Sequence, residues 1–213
     1  MPWAALVAGC AVGLGLSLVA HQFARPSQSP DSIIRTARVA FAPLVAATAF
    51  LTSDPHRNLT ATLPAPPWLT TAAHLLFAVP ALGLTAWLQL ELAGADLRIT
   101  LPPGSPAQAE HLPWLSLIVE MAAWSALAVA VAAVISRTRW NELAGAVAAP
   151  AALALTGVLA LAPLGLFPAA ATGPGQSASW PGSDWRWCAL GLAEVLVACW
   201  ACRDPWRRLP WRP

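Results

Sequence analysis

The sequence predicts an all-α polytopic membrane protein: one transmembrane domain over residues 1–213, crossing the bilayer with six helices. Three observations predict this class. The chain is 57% hydrophobic and only 10% charged, whereas a soluble domain carries roughly 25% charged residues. Its apolar residues gather in runs near the ~20-residue length that crosses a bilayer. Many of its twelve Trp lie near the ends of those runs, where an apolar ring with one N–H suits the membrane–water boundary. Alternating barrel-strand patterns are absent, and a backbone in lipid must satisfy its own hydrogen bonds, so the runs are read as helices.

The first run spans Trp3 to Phe23 and follows Pro2. It lacks a charged leader and is long for a signal-peptide core, so it reads as a retained span. The second runs from Ile33 to Leu51, with Arg35 and Arg38 near its entrance, and the third from Leu69 to Ala93. The fourth covers Trp114 to Ile135, the fifth Leu143 to Leu161 or on to Phe167, and the sixth Trp185 to Ala201. Pro43, Pro80, Pro150 and Pro163 fall within or at the ends of these runs. Each removes one backbone donor, which a bundle tolerates because neighbouring helices satisfy the freed carbonyl. Gly9 and Gly13 make a GxxxG step that permits close helix approach, read in this Ala-rich helix as general packing rather than a dimer face.

All twelve basic residues are Arg, and the chain has no Lys or Tyr. Without a P-loop lysine the chain by itself is not an ATPase of that kind. The Lys-free, Ala-, Arg- and Pro-rich composition points to a GC-rich bacterial genome. The four Cys do not suggest a disulfide scaffold. Arginine in short loops sets orientation. Six spans place Arg57, Arg137, Arg139 and the tail RDPWRRLPWRP on one side, and Arg25, Arg35, Arg38, Arg98 and Arg186 on the other. The bias favours both termini in the cytoplasm and a bacterial inner-membrane location.

On that topology the stretch SDPHRNLTATLPAPPW, residues 53–68, faces the cytoplasm. Asp54-Pro55 can open a short helix capped by Ser53 or Asp54. His56, Arg57 and Asn58 would lie on an exposed turn, Leu59 and Leu63 on one face, and Pro64, Pro66 and Pro67 would end it. This is either a rigid docking helix at the membrane surface or an ordinary polar loop. The outer segment of residues 162–184 begins as LAPLGLFPAAA. It reads equally as a re-entrant turn in the outer leaflet and as the frayed end of the fifth helix.

Ionisable groups inside spans are expensive and usually face the bundle interior. Glu120 lies in the outer half of the fourth helix, Glu194 near the middle of the sixth, and Gln89 and Glu91 near the outer end of the third. A buried carboxyl must be paired or protonated. His21, Arg25, Arg98 and Arg186 are on the right side to pair with Glu91 or Glu120, while Glu194 has no basic partner at its depth. Glu120 and Glu194 read as a translocation path or as interhelical hydrogen-bonding groups, and Glu194 also suits a proton-coupled carrier. Glu91 and His74 are read as structural. Cys199 and Cys202 form a CxxC that offers only two of the roughly four ligands zinc needs, so packing is the expectation there. No nucleophile–base pair, phosphate-binding loop or nucleic-acid signature is present.

The six spans, both ends inside, the inner segment SDPHRNLTATLP and the apolar outer segment LAPLGLFPAAA together resemble the small permease subunits of type-2 ABC exporters. That group includes the heme-exporter permease of cytochrome c maturation. The resemblance covers nearly the whole chain as a pattern rather than a sharp motif. It implies a second permease, as a homo- or heterodimer, and two ATPase subunits that carry the ATP and Mg. It also implies coupling through Asp54, His56, Arg57, Asn58, Leu59 and Leu63, and through the second inner loop with Arg137 and Arg139. Family members usually begin with an amphipathic cytoplasmic helix. Here Met1-Pro2-Trp3 leads directly into the first span, so docking is expected to rely on loops and tail.

The alternative is a non-transporting membrane protein, either a heme-handling factor or an assembly and anchoring subunit. The outer stretch WPGSDWRW, residues 180–187, faintly resembles the tryptophan-rich motif of heme-handling proteins, and His21 and His111 would be its iron ligands. The spacing and order depart from that motif.

Overall fold

The computed structural model describes residues 2–24, 30–52, 67–100, 114–137, 143–161 and 181–202, and every structural statement below concerns these. They form six α-helices and one short 3-10 turn, with no strand among them. The helices are α1 (Pro2–Gln22), α2 (Pro30–Thr48, continued by the 3-10 turn Ala49–Thr52), α3 (Pro67–Thr100), α4 (Trp114–Ile135), α5 (Ala144–Leu161) and α6 (Pro181–Cys202). The all-helical class read from the apolar runs is what the structure shows. Four stretches are long and apolar enough to cross a membrane: Trp3–Gln22, Ser32–Leu51, Ala72–Asp96 and Trp114–Ile135. α5 offers a shorter apolar stretch, Ala144–Leu155.

Contacts between helices give the direction of each. Gly9 lies against Pro43 and Ala47, and Gly13 against Ala40 and Leu44, so α1 and α2 are antiparallel. Gln89 reaches Ala40 and His74 reaches Leu51, so α2 and α3 are antiparallel as well. Arg38 meets Glu120 and Thr48 meets the Ser125 carbonyl, so α4 runs parallel to α2. Trp124 packs edge-on to Trp187 and Arg137 covers the Trp200 ring, so α6 runs parallel to α4. α5 starts beside Phe50, at the end where α2 finishes. The end that holds His21, Ile33 and Asp96 is termed the upper end. The end that holds Trp3, Leu51 and His74 is the lower end.

α2 is the axis of the packing. Phe41, Leu44, Val45, Thr48 and Leu51 are among the most deeply buried side chains. Phe41 and Leu44 join a cluster with Leu6, Leu82, Leu90 and Leu117, while Val45 and Ala49 join a second with Trp124, Ala128, Ala148 and Trp187. The outer surface is the reverse of a soluble protein's. Val7, Leu76, Phe77, Leu115 and Leu192 are each more than 60% exposed, apolar exposure of the kind that suits contact with lipid.

Two sequence expectations are refined. The GxxxG step is a specific contact within the chain: a Cβ added at Gly9 would lie 2.5 Å from the Ala47 Cβ and 2.7 Å from the Pro43 carbonyl oxygen. The third helix does not end near Ala93 but continues to Thr100. Beyond Ala93 the helix carries Asp96, which is buried against α1. Pro43, Pro80 and Pro150 lie inside helices, as read. Pro163 and the outer segment 162–180 lie outside the described residues.

These contacts predict that Gly9→Ala weakens the α1–α2 seam by about 1–3 kcal/mol, the usual range for overpacking. Gly15→Ala, where an added Cβ would meet nothing within 4 Å, should stay within about 0.5 kcal/mol of the parent. Unfolding by SDS titration in mixed micelles measures both.

Candidate functional site

Polar groups inside this bundle gather mainly in its upper half. The first group comes from α1, α2 and α3. Gln89 on α3 is 1% exposed, and its Nε2 donates to the Ala40 carbonyl at 2.9 Å. It fits because Gly13 has no side chain: a Cβ there would sit 2.7 Å from Gln89 Nε2. With Nε2 committed to Ala40, Gln89 Oε1 is left buried without a hydrogen-bond partner. Two turns further along the same face of α3 stands Asp96, also buried. Its Oδ1 lies 2.5 Å from His21 Nδ1 of α1. Gln89 and Asp96 line a cavity of about 150 Å³ together with Ser17 of α1 and Thr36 of α2. The Thr36 hydroxyl donates to the Ser32 carbonyl at 2.8 Å.

The second group is an ion pair between α2 and α4. Arg38 donates through Nη2 at 2.8 Å and Nε at 3.1 Å to the same Glu120 oxygen, Oε2. Both side chains are largely buried. The sequence suggested His21, Arg25, Arg98 or Arg186 as Glu120's partner, and the structure corrects this to Arg38. The helix begins at Pro30 rather than Ile33, so Arg38 sits more than two turns inside it, level with Glu120. His21 is held by Asp96 instead. Glu91 is exposed on the outer face of α3, while its neighbour Gln89 points inward.

Glu194 stands apart. It lies on the face of α6 that packs against α4, where Gly191 meets Ala123 and Trp187 meets Trp124. Both of its oxygens are buried without a hydrogen-bond partner, as is Trp124 Nε1. Removing an isolated carboxylate from water is costly enough that such a group is found paired or neutral.

At the lower end His74 Nδ1 lies 3.1 Å from the Leu51 carbonyl, one of the acceptors a helix end leaves open. Trp3 packs edge-on to the same imidazole. Arg137 lies over the Trp200 ring at 4.4 Å from its centroid, tying the ends of α4 and α6. Of the residues read as ATPase-coupling, Arg137 is at this end. Asp54, His56, Arg57, Asn58, Leu59, Leu63 and Arg139 lie outside the described residues, as does His111. Cys199 is exposed on α6 rather than packed within the chain.

Sequence reasoning missed Asp96 and the Arg38 pairing. Asp96 was readable in one respect: it follows Gln89 by seven residues, which puts both on one helix face. No family model, curated protein or solved structure matches the chain.

The geometry predicts that Arg38→Met costs about 3–5 kcal/mol of stability, because Glu120 is then buried without its partner and must bear the desolvation of its charge or take up a proton. The double variant Arg38→Met/Glu120→Leu should recover most of that loss. A double-mutant cycle on SDS unfolding measures the coupling.

Proposed function

We propose that the chain is the membrane permease subunit of an ATP-driven transporter of the ABC type, an exporter, working with a separate ATPase and a second permease. In this reading all six helices cross the bilayer of the bacterial inner membrane and both termini face the cytoplasm. The observation that carries the reading is a set of buried polar and charged groups, Gln89 and Asp96 lining a cavity and Arg38 paired with Glu120 between helices, inside a bundle with many exposed apolar side chains. Groups of this kind within the membrane commonly mark pathways.

α2 suits the coupling element. Its lower end continues toward the 53–66 segment, its upper half lines the cavity through Thr36, and Arg38 ties it to α4. A helix of 19 residues is a rod about 28 Å long, so a push at one end moves the other. ATP-driven closure of the partner would bear on the 53–66 segment through Asp54, His56, Arg57 and Leu63. It would bear on the second inner loop through Arg137 and Arg139. The bundles would then rock to open the path on alternate sides.

Two measurements test this. With the native cysteines replaced, Asn58→Cys should react with a membrane-impermeant maleimide only after cells are opened; labelling of intact cells overturns the topology. Affinity purification from native membranes should return an ABC ATPase, and Arg57→Glu should lower its recovery several-fold while the bundle stays folded. Undiminished recovery removes the 53–66 segment from the coupling role. A stable complex without any ATPase favours the anchoring alternative.

A further inference from the structure

Among the described residues the buried carboxyls are Asp96, Glu120 and Glu194. Asp96 meets His21 and Glu120 meets Arg38. Glu194 meets neither a cation nor a hydrogen-bond donor, and both its oxygens are buried. It stands well inside α6, on the seam with α4. Gly191, one turn before it, faces Ala123. Trp187, two turns before it, packs edge-on to Trp124 at 6.4 Å between centroids. The ionisable groups on the elements packed against α6 are engaged elsewhere or stand at another depth. On α4, Glu120 is tied to α2, and Arg137 covers Trp200, nearly two turns below Glu194. On α3, which also touches α6, His74 engages the Leu51 carbonyl and Asp96 engages α1, while Glu91 and Arg98 are exposed. On α6 itself Cys188 and Cys199 are exposed, and Arg186 lies two turns above.

A carboxylate in this place would be stranded. It has no opposite charge beside it, no donor on either oxygen and no open surface through which water could reach it, and an ion so placed is among the costliest groups a membrane bundle can hold. The nearest indole donor on the seam is not recruited either: Trp124 Nε1 is buried without an acceptor. A proton removes the charge. It also supplies an O–H, which a backbone carbonyl can accept. Helix carbonyls in this bundle already accept such second bonds, Ala81 from the Thr85 hydroxyl and Val45 from the Thr48 hydroxyl.

We infer that Glu194 is a proton-binding site: it carries its proton while α6 is packed on α4 and gives it up only when that seam opens. The exchange is acid–base alone. The carboxyl O–H bond breaks, the proton passes to water, and the electron pair stays on the carboxylate. The carboxylate so formed must reach water, or a cation such as Arg137 freed from Trp200, and either requires α6 to move on α4. Proton binding and packing are therefore linked. The proton favours the closed seam, and its loss as pH rises favours the open one. The inference rests on the α4–α6 seam and stands whether or not an ATPase drives the chain.

The test uses the full chain in lipid nanodiscs. Infrared spectra of the parent should contain the C=O band of a protonated carboxyl, shifted in D2O and lost in Glu194→Gln. Gln is the neutral isostere, so this variant should keep the seam. Should it fail to fold, Glu194→Met takes its place as the reference. Nitroxides at Ile118 of α4 and Leu192 of α6, both exposed, report the width of the seam by EPR once the native cysteines are replaced. As pH rises through the range in which the bundle stays folded, the parent's band should fade and its inter-label distance lengthen together. The reference variant should keep the short distance throughout. Four results overturn the assignment: a carboxyl band that survives in Glu194→Gln, a band that never fades, a band that fades with no change in distance, or the same distance response in the reference variant. A failed ATPase pull-down beside the expected spectra would count against the transport reading alone.

Discussion

The close approach of α1 to α2 at Gly9 and Gly13 is the contact on which the packing of α1, α2 and α3 depends. In lipid, helices gain little from hiding apolar surface, since the tails are as apolar as Leu. What holds them is van der Waals fit and the few polar contacts they share. Gly9 lets α1 lie directly on the Pro43 carbonyl and Ala47. Gly13 leaves room for Gln89 to reach the Ala40 carbonyl from the third helix. One missing side chain on α1 thus locks α2 to α3. It also fixes which way the Gln89 amide faces, and so leaves Oε1 as an acceptor.

Polar satisfaction then orders the rest. Each buried ionisable group on α1 to α4 has a partner on a different helix: His21 with Asp96, Arg38 with Glu120. Such pairs contribute little net stability, because desolvation offsets attraction, but breaking one leaves a stranded charge. They therefore act as registration pins between α1 and α3 and between α2 and α4. Thr48 does the same on a smaller scale, donating to Val45 within its helix and approaching the Ser125 carbonyl of α4. Glu194 breaks the pattern. It faces a helix seam rich in Ala and Trp, and neither oxygen has a partner there.

Legibility in the sequence followed the length scale of the signal. Runs of apolar residues announce helices over about 20 positions, and the cores of all six were readable because the pattern is long and redundant. Helix ends were less so. Asp96 and Arg98 look like the start of a loop, yet α3 continues through both to Thr100, since a His on another helix meets the Asp. The same limit hid the Arg38–Glu120 pair. Both residues were visible, but a start at Ile33 rather than Pro30 assigned Arg38 to the membrane surface. The Gly9–Gly13 step was seen as permissive for packing; which helix would fill it was not.

What the sequence determined by itself is the helical class and its fitness for lipid: few charges, apolar runs long enough to cross a bilayer, and a backbone that in such a setting closes its own hydrogen bonds as helices. What the tertiary structure alone decided is the partner of each polar group: Arg38 for Glu120, His21 for Asp96, and the Ala40 carbonyl for Gln89. The physical reason is that burial in lipid depends on the composition of one segment, while pairing depends on relative depth and rotation of two. Shifting a helix by one residue moves a side chain by about 1.5 Å along the axis and about 100° around it. That is enough to exchange one partner for another while leaving every apolar run unchanged.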